Sequence, residues 1–306
     1  ISAVVTIVIF ALGKAGALHF QQNFDALAGA GAYRGVISTA SHAGAPLSWN
    51  YQAGPTFNFT IWPAFAIFFS VNMVSFSGEI RNVRRGQLIG IVGSMVVSGL
   101  LMIGLMFFGR GAVGTRFLIA ASSIPAAKFP LPVSPYLNLL ASITANNAFL
   151  TIVVNLWVLF VIPYALGTNV IYSSRALLAW GIDGVAPEKL SHVSDRFHTP
   201  AVSILVLVIV AEVALALFAF TSLLAILSGL LGFCVAFLIV SLTGALFPFA
   251  KRDVFEDSPA ALKVGGIPLI TLAGVISTPF VAFLLYRTFV DQTYGASTPT
   301  SLIVNG

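Results

Sequence analysis

The chain has 306 residues, of which 58% are hydrophobic and only 8% charged, and its mean hydropathy is +0.98. A soluble domain carries about 25% charged residues, so this composition excludes an ordinary globular enzyme or binding module and points to an integral membrane protein. The net charge of +5 reads as loop cations facing lipid headgroups, not as a nucleic-acid surface, and the single cysteine, Cys234, excludes an intrachain disulfide framework.

The apolar runs are long and uninterrupted, without the alternation of a membrane barrel, so the expected class is all-α. The chain opens ISAVVTIVIF, with neither an initiator methionine nor a basic flank; this differs from a cleavable signal peptide and reads as the continuation of a longer protein. Ile1 to about Leu18 forms a first span, interrupted by Lys14. From His19 to Thr56 the composition turns to Ala, Gly, Ser, Asn and Gln, and a connection this long carries short helices of its own or a gating role. Phe57–Ser77 and Leu88–Phe108 are the next two spans, each of about 20 residues and long enough to cross a bilayer. They flank the basic turn GEIRNVRRGQ. Gly109–Asn147 is a second long segment in which Pro125, Pro130, Pro132 and Pro135 break any continuous helix. Phe149–Ser174 is the fourth span, followed by a polar connector to Thr199. Spans over Pro200–Phe220, Leu223–Phe247 and Ile267–Tyr286 complete a set of seven.

Cation placement orients the set. Arg81, Arg84, Arg85, Arg175, Lys189, Arg196, Lys251, Arg252 and Lys263 fall on one side, and Arg34, Arg110, Arg116, Lys128 and Arg287 on the other. The first group occupies the shorter loops, which marks its side as cytoplasmic. The segments His19–Thr56 and Gly109–Asn147 are then external.

Several residues inside the spans suit chemistry. Pro63 and the polar series Ser70, Asn72, Ser75 and Ser77 interrupt the second span. They fit either a kinked helix bonded to its neighbours or a broken helix whose freed backbone groups hold a substrate. In the fourth span Ala165, Thr168 and Asn169 stand at i, i+3 and i+4 and share a face. One carbonyl and two side-chain oxygens there form a partial cage for a hard cation, or bonds across a helix interface. Lys14 and Glu212 are charges inside spans and mark function or a structural pair. None of the four histidines has metal-ligand spacing, and no cofactor motif or nucleophile motif is present, so no cofactor is expected and a membrane enzyme is disfavoured.

Two cytoplasmic motifs carry a family resemblance. Gly78-Glu79-Ile80-Arg81-Asn82-Val83-Arg84-Arg85 resembles the G-E-x-K/R-N-P-x-R loop of amino acid permeases of the amino acid–polyamine–organocation superfamily, with Val83 in place of the usual proline. Ser173-Ser174-Arg175, then Asp183-Gly184 with Pro187, then Thr199-Pro200, is similar to the next motif of the same family, in the same order. The resemblance implies a LeuT-like fold of two five-helix repeats of inverted topology. The spans here correspond to the family's fifth through eleventh helices: residues 1–56 hold the end of the first repeat and an external loop, 57–249 the second repeat, and 250–306 a further helix and tail.

It also implies substrate contacts at Ala66, Ile67, Phe68, Phe69, Ser70 and Asn72, where relatives carry a glycine and an acidic residue. The phenylalanines here make an apolar or aromatic wall. Coupling to H+ or Na+ is implied at Lys14, Ala165, Thr168 and Asn169, and gating at Glu79, Arg81, Asn82, Arg84, Arg85, Arg175 and Asp183. The expected function is secondary active transport of an amino acid across the cell membrane by alternating access. A transporter of another solute such as a polyamine, and a channel or sensor on the same fold, are the alternatives. The oligomeric state is left open.

Overall fold

The computed structural model describes residues 2–13, 16–48, 51, 53–80, 82–220, 229–258 and 261–290. Among these, five helices are long and apolar enough to cross a membrane: Arg85–Val113, Ala148–Ile182, Ala201–Phe220, Leu231–Ala250 and Leu269–Val290. They correspond to five of the seven expected spans. The first and second expected spans are not continuous helices of that length.

The first is divided. Helix α1 (Ser2–Leu12) has 11 residues, roughly 16 Å at 1.5 Å per residue, about half the hydrocarbon thickness of a bilayer. It ends at Gly13, where an added Cβ would lie 3.1 Å from the Thr144 methyl. Helix α2 (Gly16–Ala28) follows. The second expected span divides into α4 (Ala53–Phe59), α5 (Ile61–Phe68) and a 3₁₀ segment over Phe69–Glu79.

Two compact units account for the chain, Ile1–Gln52 with Leu88–Ile171, and Ala53–Gln87 with Tyr172–Gly306. In the first, the segments expected as long external connections are largely helical. They form α2, α3 (Ala32–His42), α7 (Thr115–Ser123) and α8 (Leu137–Ala145), beside α6 (Val83–Val113). Phe20, Phe24 and Phe117 are fully buried there. The Tyr33 and Phe117 rings stack at 4.6 Å and 7°, while Phe24 meets Phe117 edge-on at 5.0 Å. Such pairs add about 0.5–1.5 kcal/mol each beyond the area they bury. Tyr33 is fixed at both ends: its N–H donates to Asp25 Oδ1 at 2.7 Å and its hydroxyl to the Val113 carbonyl at 3.1 Å.

The turn from α8 to α9 (Ala148–Asn155) uses two asparagines in succession. Asn146 ends α8 in the left-handed conformation with φ 43°, which Asn tolerates better than most residues. Asn147 caps α9 by accepting the Leu150 N–H at 3.1 Å. After a turn at Leu156 the chain continues as α10 (Trp157–Ile182), with Pro163 inside it. This helix runs eight residues past the expected end at Ser174, because ALLAW continues the apolar pattern before Gly181 and Asp183.

In the second unit, α11 (Ala201–Phe220) carries Glu212 on its exposed surface. Helix α12 (Gly229–Ala250) packs closely on α14 (Leu269–Val290). A Cβ on Gly274 would lie 2.5 Å from Ala245 N and 2.6 Å from Ser241 O, so backbone meets backbone there, as small residues permit in membrane helix pairs. Ser277 donates to Ser241 Oγ at 3.0 Å and Thr271 to the Ala245 carbonyl at 3.2 Å. Cys234 is fully buried in a cluster with Ile61, Ala64 and Leu284, the packing role its apolar setting predicts. Ahead of α14, α13 (Arg252–Glu256) leads to a two-stranded hairpin, β1 (Lys263–Val264) and β2 (Ile267–Pro268). Its turn residues Gly265 and Gly266 have φ of 58° and 84°, the positive pair a tight hairpin requires.

Candidate functional site

The site is built where α5 gives way to the 3₁₀ segment. Helix α4 ends in a turn at Thr60, whose N–H bonds back to Phe57 O at 3.2 Å and whose hydroxyl donates to Thr56 O at 3.1 Å. Pro63 then sits in the first turn of α5, where a missing N–H leaves no intrahelical bond unmade. From Phe69 the winding tightens and stays 3₁₀ for 11 residues. Runs beyond 3–4 residues are uncommon and mark strain or a hinge. Ser70, Val71, Asn72, Val74, Ser75 and Ser77 are all weak α-helix formers, and the Ser77 hydroxyl donates to the Val74 carbonyl.

Two side chains from other helices satisfy carbonyls of this segment. Gln87 of α6 donates through Nε2 to Met73 O at 2.8 Å and to Ser77 Oγ at 3.0 Å. Arg175 of α10 donates through Nη1 to Ser75 O at 2.7 Å. Asn72 Oδ1 and Gln87 Oε1 are buried with no hydrogen-bond partner among the described residues. A buried acceptor left unpaired costs about 1–3 kcal/mol.

An aromatic group stands beside the same stretch. Phe68 stacks on Phe237 at 4.3 Å, and Phe65 and Phe69 meet at 5.1 Å. Phe233 lies 5.5 Å from Phe65 and 5.4 Å from Phe69. Of the six expected substrate residues, Ile67, Phe68, Ser70 and Asn72 are half-buried, and Ala66 and Phe69 are exposed. Phe233, Phe237 and Gln87 were not among the expected site residues. The i, i+4 spacing of Phe233 and Phe237 puts them on one face of α12, a signal that was available but did not say what they face.

The basic loop motif acquires local structural roles. Asn82 Oδ1 accepts the Arg85 N–H at 3.3 Å, the N-cap position of α6. Gly86 leaves room for Ile80, since a Cβ there would meet Ile80 Cγ2 at 2.5 Å. The backbones of Glu79 and Arg84 end the 3₁₀ segment and begin α6; Arg81 lies outside the described residues. Asp183 is exposed just beyond α10, its N–H bonded to Ala179 O at 2.8 Å.

Of the coupling set, Lys14 lies outside the described residues. Thr168 donates to Tyr164 O and Asn169 through Nδ2 to Ala165 O, both at 2.8 Å. Both bonds remain within α10, so the Ala165 carbonyl is engaged, and the oxygens of Thr168 and Asn169 keep lone pairs to offer.

A family model described as amino acid permease matches residues 1–305. No curated protein and no solved structure matches the chain. The match covers nearly the whole sequence and agrees with the membrane-length apolar helices and with the two loop motifs. The chain belongs to the amino acid permease family of the amino acid–polyamine–organocation superfamily, and is an all-α integral membrane protein of a transporter family.

Proposed function

We propose that this protein is a secondary active transporter that moves amino acids across the cell membrane by alternating access, with residues 57–249 as the second of two inverted five-helix repeats. Its substrate contacts are Ala66, Ile67, Phe68, Phe69, Ser70 and Asn72. The observation that carries this reading is the change from α to 3₁₀ winding at Phe69, with Asn72 Oδ1 buried and unpartnered three residues later. Irregular backbone at membrane depth is tolerated where protein or a cavity satisfies it, and transporters use such breaks to hold substrate. The Asn72 oxygen is an acceptor suited to a substrate ammonium, and the five phenylalanines suit an apolar substrate side chain.

Coupling to protons is assigned to Lys14. In a low-dielectric setting an ammonium and a sodium ion exclude one another, so a lysine that reaches Thr168 and Asn169 favours H+ over Na+. Full-length protein in proteoliposomes, given a proton gradient, is expected to accumulate labelled amino acid with saturable kinetics. Lys14→Met then abolishes accumulation and spares exchange. Accumulation by that variant, or a sodium requirement in the wild type, removes Lys14 from the mechanism; linear dissipative flux makes the protein a channel, and binding without flux a sensor.

A further inference from the structure

We propose that the first unit carries a binding site for an oxyanion, a carboxylate or phosphate group, in the cleft between α3 and the start of α7. The cleft has a volume of about 650 Å³, within the range of small-molecule sites. Arg34, Ser38 and Ser41 line one side and Thr115 and Arg116 the other, and no acidic residue lines it. Among the described residues neither the Arg34 nor the Arg116 guanidinium makes a hydrogen bond or an ion pair. The nearby carboxylate of Asp25 is taken by the Tyr33 N–H at 2.7 Å and does not line the cleft.

The two guanidinium groups, 82 positions apart in sequence (116 − 34), are brought to one cavity by the packing beneath them. Arg34 follows Tyr33 and Arg116 precedes Phe117, and those two rings are stacked at 4.6 Å and 7°. The stack fixes the backbone of both arginines, so the cations sit on a rigid base instead of on mobile loop tips. Like charges facing one cavity repel, and an oxyanion between them relieves that repulsion while accepting paired N–H bonds from each planar fork. The hydroxyls of Ser41 and Thr115 add donors. Both arginines fall in the segments that the cation count places outside the membrane, where the anion comes either from solution or from an acidic lipid headgroup.

Full-length protein in nanodiscs tests this, with the thermal unfolding midpoint read against inorganic phosphate at constant ionic strength, since screening weakens exposed contacts. In phosphatidylcholine discs, phosphate is expected to raise the midpoint of the wild type and of Lys128→Gln, a cation outside the cleft. The Arg34→Gln/Arg116→Gln pair is expected to weaken the apparent affinity about tenfold or more for each charged bond lost. Ser41→Trp, which fills the cleft and keeps both charges, is expected to lose the response as well, and serves alone if the double variant does not fold. A midpoint raised instead by phosphatidylglycerol discs, with phosphate then adding nothing, assigns the same site to a lipid headgroup. The proposal is overturned if neither anion source shifts the wild type, or if the folded cleft variants respond as the wild type does.

Discussion

Arg175 and Gln87 show how single side chains hold an irregular backbone in place. Each donates to a carbonyl of the 3₁₀ segment at 2.7 and 2.8 Å, and removing either takes a side-chain donor from a half-buried stretch of backbone. Arg175→Met is expected to cost roughly 1.5–3 kcal/mol, the scale of a charged hydrogen bond, and Gln87→Leu about 1–3 kcal/mol. Both losses are measurable as lowered unfolding midpoints together with faster cysteine labelling at Ser77. Unchanged labelling would mean that the segment keeps its winding without them. Asn82→Ala is expected to cost about 1 kcal/mol as a lost helix cap, with Asn82→Asp close to neutral. The basic loop was legible in the sequence because charge stands out against apolar spans. Gln87 was not, since a lone glutamine at the foot of a span looks the same whether it meets lipid headgroups or a neighbour's carbonyls.

At the level of elements, the α12–α14 pair and the aromatic core of the first unit make separate demands. Gly274→Leu drives a side chain into the backbone at Ala245 and Ser241. It is expected to destabilise by about 1–3 kcal/mol or more, read as a lower unfolding midpoint, whereas Gly244→Ala, whose Cβ has 3.6 Å to its nearest neighbour, is tolerated. Tyr33 gives a pH test. Burial first, and then the Asp25 carboxylate, raise its phenol above the ordinary tyrosine value. A pKa raised on folding means the contribution is fully present below the unfolded value and is lost as pH rises through the folded one. Stability is therefore expected to hold from neutral pH to about pH 10 and then fall, and Tyr33→Phe removes that alkaline loss. Five of the spans were legible because an unbroken apolar run of bilayer length has few other meanings. The core of Phe20, Phe24, Tyr33 and Phe117 was not, because its aromatics are spread through polar, glycine-rich stretches whose pairing only tertiary packing reveals. The division of the first apolar run was not legible for a related reason: such a run states its hydropathy, not where its helix ends, and α1 ends at Leu12 with Gly13 after it.

For the whole molecule, the cation asymmetry predicts sidedness. Cysteines introduced at Asp195 and at Lys128, both exposed, are expected to react with impermeant reagent from opposite faces of the membrane, and reaction from one face would overturn the orientation. The proposed transport cycle rests on the break at Phe69, so the most direct measurement is binding and proton-driven accumulation of labelled amino acid by Ser70→Trp beside the wild type, in the same proteoliposomes. The half-buried Ser70 lies in the 3₁₀ segment, and the indole is expected to abolish both binding and accumulation while the folded fraction stays at the wild-type level. Wild-type binding and accumulation by a folded Ser70→Trp would contradict the placement of the substrate at this break.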